Sequence, residues 1–258
     1  MTLQTESLDR FSPRRKGINK LNPDGGTTGQ KNDPLKTVTK RVEIGFPGTP
    51  DEWREAEAHY TEHTLEILGQ PVMEDWETPY MDHLADIVTR NGGTILEIGF
   101  GMGISSRAIH KLRSVRRPRI DRHIIIEANR QVADKAREFS RNAQYLTEVL
   151  VGFWHERIAE IPDESVDGTL YDGYPLASDE IHRDHLPFFE HAFRILKPGG
   201  ILTFYSDQPR SFSDEQVAYL TRAGFQESKM QAIIVPVLPP PDCKYWQYNT
   251  IMAPVVIK

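Results

Sequence analysis

A glycine-rich turn directly after a short apolar run constrains the fold of this chain more than any other feature. Residues 94–98 (TILEI) are apolar and partly β-branched, and they lie between two glycines, which predicts a buried strand. The turn that follows reads E-x-G-x-G-x-G, from Glu97 to Gly103, and a helical pattern begins at Ser105. Glycines permit a tight turn and a close approach of the backbone to a ligand. An ordinary tight turn without a ligand is the alternative interpretation.

Strand and helix patterns alternate along the rest of the chain. They predict strands over residues 123–127, 145–151, 166–171, 201–205, 231–237 and 250–256, and helices over residues 105–112, 131–142, 188–196 and 213–223. Before the glycine turn, residues 51–68 and 71–90 have a helical pattern, which predicts a helical cover. Such alternation is typical of an α/β fold with a mostly parallel sheet. Ligands bind these sheets at the carboxyl ends of the strands.

Two acidic residues indicate which ligand the turn binds. Glu97, at the end of the first predicted strand, would repel a pyrophosphate at the N-terminus of the following helix and suits a cationic ligand better. This favours S-adenosylmethionine, which has positive amino and sulfonium groups, over a nicotinamide dinucleotide. Glu127 ends the next strand, where a carboxylate can accept hydrogen bonds from both ribose hydroxyls of a nucleoside. A solvated carboxylate at a strand end is the alternative for Glu127.

Trp154 and His155 follow the third predicted strand. In this topology their position faces the base of a nucleoside, and Trp154 is a candidate to stack on an adenine. The alternative is that Phe153 and Trp154 are aromatic residues of the core. Trp53, in the predicted cover, is a candidate aromatic lid residue.

Composition separates an arm from a folded body and excludes several classes of function. The first 45 residues are rich in Gly, Asn, Pro, Thr and Lys, which predicts a flexible arm over residues 1–50 before a domain over residues 51–258. Cys243 is the single cysteine, so we expect a cytoplasmic protein without a disulfide or a Cys-based metal site. No secretory signal and no apolar run of ~18 residues is found, so no membrane partner is expected. A net charge of −6 argues against nucleic acid as a partner, and the histidine spacing predicts no metal.

Longer stretches of the sequence carry a resemblance to a known family. They are LGQPVMEDWETPYM (68–81), ILEIGFGMGI (95–104), HIIIEAN (123–129), LYDGYPL (170–176), HAFRILKPGGILT (191–203) and PPPDCKYW (239–246). In this order they resemble the guanidinoacetate N-methyltransferase family of class I S-adenosylmethionine-dependent enzymes. The resemblance implies a Rossmann-like class I methyltransferase fold, with a seven-stranded, mostly parallel sheet, helices on both of its faces and S-adenosylmethionine as the cofactor.

The resemblance also implies the roles of individual residues. Contacts to the cofactor are implied for Met73, Met81, Gly99, Gly101, Met102, Glu127 and Trp154, and the neighbouring Glu97, Gly103, His155 and Asp172 complete the candidate cofactor site. Glu77 and Asp172 are implied to hold the guanidinium group of the substrate. A turn residue is the alternative for Asp172, and a surface carboxylate is the alternative for Glu77.

The chemistry of guanidinium supports this pair of acids. A guanidinium is protonated at neutral pH, so a proton must leave as its nitrogen accepts a methyl group. Two carboxylates can orient the planar cation by bidentate hydrogen bonds, and one of them can accept the proton. Asp172, at a strand end, is the candidate base, and Glu77, on the predicted covering helix, is the second clamp.

The loop after the strand predicted over residues 201–205 departs from the family. Backbone amides hold the substrate carboxylate there in the family, and the matching positions in this chain are Asp207 and Gln208. The acidic side chain of Asp207 disfavours guanidinoacetate and favours a substrate that also has an α-ammonium group, such as L-arginine, whose carboxylate would pair with Arg210. Exposed charges of a loop are the alternative for Asp207 and Arg210.

We therefore predict an N-methyltransferase acting on a small guanidino substrate, with L-arginine and Nω-methyl-L-arginine as the expected substrate and product. The alternatives are a guanidinoacetate N-methyltransferase that makes creatine, an enzyme that methylates arginine side chains of proteins, and a non-catalytic S-adenosylmethionine-binding module. A homodimer is one option for the assembly.

Overall fold

The computed structural model of the protein describes residues 45–111 and 119–258. In chain order, its elements are α1 (Pro50–Glu55), β1 (Ala58–Tyr60), β2 (Thr64–Ile67), β3 (Gln70–Glu74), α2 (Thr78–Val88), β4 (Gly93–Ile98), α3 (Ile104–Lys111), β5 (Ile120–Glu127), α4 (Arg130–Arg141), β6 (Leu146–Val151), α5 (Trp154–Arg157), β7 (Val166–Tyr171), α6 (Phe188–Ile195), β8 (Leu196–Phe204), α7 (Asp214–Ala223), β9 (Met230–Pro236) and β10 (Thr250–Ile257). Most of the predicted N-terminal arm, residues 1–44, lies outside the described residues.

The main sheet has seven strands in the order β6-β5-β4-β7-β8-β10-β9. Only β10 runs antiparallel to its neighbours β8 and β9, whereas the other pairs are parallel. The chain builds the sheet outward from β4 in one direction through β5 and in the other through β7. This arrangement confirms the predicted Rossmann-like α/β fold, and it puts the topological switch point, where ligands bind in such folds, between β4 and β7.

The alternating side chains of the central strands explain why helices cover both faces. Ile95 of β4 belongs to a buried apolar cluster with residues of α2, α3 and α4. Leu96 and Ile98 belong to a second cluster with residues of α6 and α7. Successive strand residues point to opposite faces, so a strand with apolar residues on both faces requires a helical layer on each.

The N-terminal cover differs from its prediction. Its first helix, α1, ends at Glu55, and residues 58–74 form a three-stranded antiparallel sheet, β1-β2-β3. Leu65 and Ile67 of β2 are buried two residues apart, which is strand periodicity. Leu68 and Gly69 have φ values of 53° and 71° and form the turn between β2 and β3, so Gly69 does not end a helix. The helical prediction was wrong for residues 58–68 and for residues 71–74, which belong to β3, whereas α2 confirms the later part of the helix predicted over residues 71–90.

Hydrogen bonds hold the helix α2 against the main sheet, and they thereby position Glu77, which precedes the helix. The hydroxyl of Tyr80 lies 3.2 Å from the carbonyl oxygen of Phe204 and 3.1 Å from that of Met252. It also accepts a hydrogen bond from the backbone N–H of Ser206 at 3.2 Å. Glu77, in a short 3-10 turn just before α2, is therefore held above the ends of β8 and β10. Within the described residues, no helix has the length and apolar character that crossing a bilayer requires.

Candidate active site

The glycine turn after β4 packs directly against the loop that follows β7. Gly99 has a φ of 84°, and a Cβ atom at this position would lie 2.1 Å from the carbonyl oxygen of Asp172. The backbone N–H of Asp172 donates a hydrogen bond to the carbonyl of Ile98 at 2.9 Å. Only a glycine allows this approach, and the positions of the turn and of Asp172 are therefore coupled.

A cavity of about 400 Å³ opens at the carboxyl ends of β4, β5 and β7. This volume is within the range of pockets for small molecules. Seven of the residues predicted to contact the cofactor line the cavity, namely Met73, Gly99, Gly101, Glu127, Trp154, His155 and Asp172. The location agrees with the one expected from the topology.

Glu127 is a buried acid at the base of this cavity. One carboxylate oxygen accepts a hydrogen bond from the backbone N–H of Phe100, and the other accepts one from Asn129, both at 2.8 Å. Burial raises the pKa of the Glu127 carboxyl, while the backbone hydrogen bonds oppose that shift. These backbone N–H groups hold the carboxylate in place at the wall of the cavity, where the hydroxyl groups of a ligand can approach it.

Aromatic rings form two other walls. Trp53 of α1 stacks on Tyr174, with ring centroids 4.8 Å apart and planes within 9°. On the other side, Trp154 packs edge-on against Tyr171 and Phe188. Trp154 thus packs in the aromatic core, as one interpretation of the sequence expected, and it also lines the cavity, as the other interpretation requires.

Glu97, Met81, Met102 and Gly103 do not line this cavity. Met81 is fully buried in the core. Glu97 is also fully buried, and it accepts hydrogen bonds from the hydroxyls of Ser105 and Ser106 and lies 3.0 Å from His123 Nε2. Its carboxylate is directed to the interior beneath α3, so the sequence argument that Glu97 faces a cationic ligand does not match the geometry.

A second, narrower pocket adjoins the cavity and shares Asp172 with it; we call it the inner pocket. Its volume is about 30 Å³, and it is lined by Val72, Glu77, Tyr171, Asp172, Gly173, Tyr174, Pro175, Asp184, Tyr205, Asp207 and Tyr245. The structure thus brings Glu77 and Asp172 to one pocket, although they are far apart in the sequence. Asp184 and Asp207 add two further carboxyl groups.

Glu77 is 2% exposed in the inner pocket. Its Oε1 atom accepts hydrogen bonds from the Tyr245 hydroxyl at 2.6 Å and from the backbone N–H of Glu74 at 2.9 Å. Burial raises the pKa of the Glu77 carboxyl from 4.5 to about 7, and hydrogen bonds from Tyr245, Glu74 and Tyr205 oppose this rise. The group therefore titrates near neutral pH.

Asp172 directly follows β7 and is half-buried between the cavity and the inner pocket. Burial raises the pKa of its carboxyl well above the usual value, and the negative charges of Glu77 and Glu97 add to the rise. Two neighbouring carboxyl groups with raised pKa values form a site that favours a bound cation.

Of the two residues predicted to contact the substrate carboxylate, Asp207 and Gln208, only Asp207 lines the inner pocket. Asp207 lines the inner pocket, has a φ of 51°, and lies 3.3 Å from His182 Nδ1. Gln208 lines neither pocket; its backbone N–H donates to the hydroxyl of Ser206 and its carbonyl accepts from Met252. Arg210 is exposed.

Sequence reasoning missed the tyrosines of the inner pocket. Tyr205 follows β8, and Tyr245 comes from the loop between β9 and β10. Tyr245 lies within the PPPDCKYW stretch, where a polar aromatic residue in a matched motif was the available signal. No cluster of three potential metal ligands occurs among the residues described by the structure.

Comparisons with known proteins place this chain in a family. The model of the guanidinoacetate N-methyltransferase family matches residues 47–258. Protein arginine N-methyltransferase 2 of Yarrowia lipolytica is 26% identical over 188 residues, which are 69% of this chain and 37% of that protein. The enzyme of the same name from Saccharomyces cerevisiae is 30% identical over 143 residues, covering 52% of this chain and 32% of that protein. The chain thus spans well under half the length of these curated relatives.

Solved structures show a similar fold at low sequence identity. A spermidine synthase bound to the transition-state analogue AdoDATO has a TM-score of 0.57 and 14% identity, covering 79% of this chain and 73% of that one. The spermidine synthase of Thermotoga maritima has a TM-score of 0.51 and 13% identity, covering 79% of this chain and 72% of that one. At such identities the likeness is one of fold alone.

Proposed function

The chain belongs to the guanidinoacetate N-methyltransferase family, and on that basis we propose that it methylates the guanidino group of L-arginine. Membership of this methyltransferase family confirms the predicted cofactor, S-adenosylmethionine. The observation that carries the proposal is that Glu77 and Asp172 line one narrow pocket beside the larger cavity.

The residues of the larger cavity fit the cofactor. Gly99 and Gly101 of the glycine turn line the cavity, Glu127 offers carboxylate oxygens at the end of β5, and aromatic rings line the walls. We assign Glu127 to the ribose hydroxyls and Trp154 with His155 to the adenine side of the cavity. When bound, the cofactor supplies an electrophilic methyl group.

The paired acids account for the acceptor chemistry. In the proposal, Glu77 and Asp172 hold the planar guanidinium by hydrogen bonds to its N–H groups, which fixes the nitrogen that reacts. That nitrogen must release a proton as it accepts the methyl group. Asp172 receives this proton, because it lines both pockets and its backbone also contacts the glycine turn at Gly99.

The charge of the inner pocket supports arginine over guanidinoacetate. Four carboxyl groups line it, whereas none of the described residues in its lining is Lys or Arg. A substrate carboxylate about 5 Å from one ionised carboxylate meets a repulsion of about 3 kcal/mol at an effective dielectric constant of about 20. Guanidinoacetate has only one carbon between its guanidino and carboxylate groups and brings its charge close, whereas the longer side chain of arginine keeps its carboxylate outside.

A panel assay tests this proposal. Incubation with labelled S-adenosylmethionine and either L-arginine or guanidinoacetate should give a kcat/KM for L-arginine about 100-fold higher, the equivalent of about 3 kcal/mol. Mass spectrometry should identify a monomethylated product. Preference for guanidinoacetate would refute the choice of arginine, and cofactor binding without transfer to any guanidino compound would favour the non-catalytic module.

The arginine side chain of a protein is a second candidate acceptor. The names of the curated relatives favour it, since those proteins are called protein arginine N-methyltransferase 2. Including an arginine-containing peptide at the same concentration as free L-arginine discriminates between them. Faster transfer to the peptide would select the second candidate.

A further inference from the structure

Tyr245 reaches the candidate active site from a distant part of the chain. It lies in the loop between β9 and β10, and its hydroxyl donates a 2.6 Å hydrogen bond to Oε1 of Glu77. Tyr245 is only 3% exposed. Its ring packs against Trp76, with centroids 5.8 Å apart. The hydroxyl is therefore held in place by packing on both the ring and the loop.

The surroundings of Glu77 make this hydrogen bond important. Nearly all of its carboxyl is removed from water. The negative charge of Glu74 disfavours a charge on Glu77, and the charges of Glu77 and Asp172 disfavour each other. The other groups of the inner pocket that bear on its charge are Asp184, Asp207 and Tyr205. Burial of a carboxylate is tolerated only if donors satisfy its oxygens.

Neutral hydrogen-bond donors can satisfy the buried Glu77 carboxylate without competing with a cationic substrate. A lysine or arginine in contact with Glu77 would compete with a guanidinium for the same carboxylate. The Tyr245 hydroxyl and the Glu74 backbone N–H instead occupy Oε1 without adding positive charge, and the Tyr205 hydroxyl is a third neutral donor to the carboxyl. Burial and the neighbouring anion of Glu77 raise the pKa of Tyr245 far above that of a free tyrosine, so it stays protonated and donates.

We propose that Tyr245 is a positioning residue, which fixes the orientation in which the Glu77 carboxylate receives the guanidinium of the acceptor. This inference rests on the proposed function. Tyr245 acts through Glu77 and takes no proton from the substrate. The C-terminal part of the sheet thereby contributes to acceptor binding, alongside the 3-10 turn before α2 and the end of β7.

Tyr245→Phe tests the proposal, with Tyr248→Phe as the matched control. Tyr248 lies in the same loop, but its side chain does not line the inner pocket. Loss of a hydrogen bond to a charged group should raise KM for the acceptor about 10- to 100-fold at neutral pH, with affinity for the cofactor unchanged. Because the lost bond favours the ionised form, the acid limb of the kcat/KM profile should move to higher pH in Tyr245→Phe alone. Unchanged KM and an unchanged pH profile would overturn the proposal.

A double-mutant cycle separates positioning from a direct contact. Tyr245→Phe should weaken L-arginine binding, measured by calorimetry, in the native background and have little effect in a Glu77→Gln background. An equal loss in both backgrounds would show that Tyr245 acts independently of Glu77 and would overturn the inference.

A readout without any acceptor distinguishes failure of this inference from failure of the proposed function. The ¹³C chemical shift of the Glu77 carboxyl reports its titration in the substrate-free protein. Its pKa should rise in Tyr245→Phe and remain unchanged in Tyr248→Phe. If no guanidino compound is methylated but this shift occurs, the proposed function fails while the Tyr245–Glu77 coupling stands. If transfer occurs and the shift is absent, the inference fails alone.

Discussion

Replacing Glu77 by Gln is expected to stabilise the protein at alkaline pH, although it removes a group that the proposed reaction requires. Burial raises the pKa of the Glu77 carboxyl from 4.5 to about 7 in the folded protein. A carboxyl with a higher pKa in the folded than in the unfolded state favours folding while it is protonated. This contribution is complete below the unfolded pKa and is lost as the pH rises through the folded one. Glutamine has nearly the same shape and does not titrate, so the variant keeps its stability.

The size of the gain follows from the two pKa values. One pKa unit corresponds to ~1.36 kcal/mol, so the rise from 4.5 to about 7 amounts to about 3 kcal/mol of unfolding free energy at about pH 8. At about pH 5 the same values leave less than ~1 kcal/mol. The gain of Glu77→Gln over the native protein should therefore be about 2.5 kcal/mol larger at about pH 8 than at about pH 5. The amide oxygen still accepts the hydrogen bonds from Tyr245 and Glu74, so their loss does not enter the comparison.

Urea unfolding of the cofactor-free protein at these two pH values measures the effect. The control is Glu227→Gln, because the Glu227 side chain is exposed to solvent, and its replacement should produce no pH-dependent difference. A gain that is equal at both pH values, or a loss that grows with pH, would refute the reasoning from burial.

Three further predictions concern the same site. Asp172→Asn should bind the cofactor with unchanged affinity and lose methyl transfer by a factor of ~10²–10⁴, measured by calorimetry and label transfer; unchanged turnover would show that Asp172 is not the base. Binding of L-arginine near neutral pH should release protons, because a guanidinium lowers the raised pKa values of Glu77 and Asp172. Calorimetry in two buffers of different ionisation enthalpy measures the number of protons released, and a value of zero would contradict the proposed ion pairs. Gly99→Ala should lower the melting temperature and weaken cofactor binding far more than Gly199→Ala. Both glycines have a positive φ, but only a Cβ atom at position 99 meets a neighbouring atom, at 2.1 Å. Equal effects of the two substitutions would show that the backbone angle alone matters.

The main sheet was predictable because each central strand is an apolar run with helices before and after it. The predicted strand over residues 166–171 coincides with β7, and the predicted helix over residues 213–223 differs from α7 by one residue. These elements bury apolar side chains on regular periods, so local pattern and tertiary packing agree. The strand predicted over residues 201–205 begins earlier, at Leu196, where the register between β7 and β8 shifts and turn residues are tolerated.

The cover was mispredicted because its strands are short and partly exposed. β1 has three residues and β2 has four, so the alternation of Leu65 and Ile67 is too short to distinguish a strand from a helix by sequence pattern. The pairing that decides between them is tertiary: β2 is held between β1 and β3. Propensity over such a segment is a weak guide when tertiary pairing opposes it.

The acids of the site were accessible to sequence reasoning, whereas their partners were not. Glu77 and Asp172 stand in recognisable motifs, and both line the inner pocket. The hydrogen bond from Tyr245 to Glu77 depends on how β9 pairs with β10 and on the loop between them. The interior orientation of Glu97 likewise depends on His123 of the adjacent strand. Contacts across such sequence separations follow from the register of the sheet.

The small sheet β1-β2-β3 is fastened to the glycine turn by two hydrogen bonds. The Tyr60 hydroxyl donates to the carbonyl of Gly101 at 3.1 Å, and the Met102 backbone N–H donates to the sulfur of Met73 at 3.3 Å. Met73 also forms part of the cavity wall, so a molecule held in the cavity adds its binding free energy to the local opening equilibrium of this sheet. The rate of amide hydrogen exchange in residues 58–74 should therefore fall as the fraction of molecules with bound S-adenosylmethionine rises, so this rate measures the bound fraction.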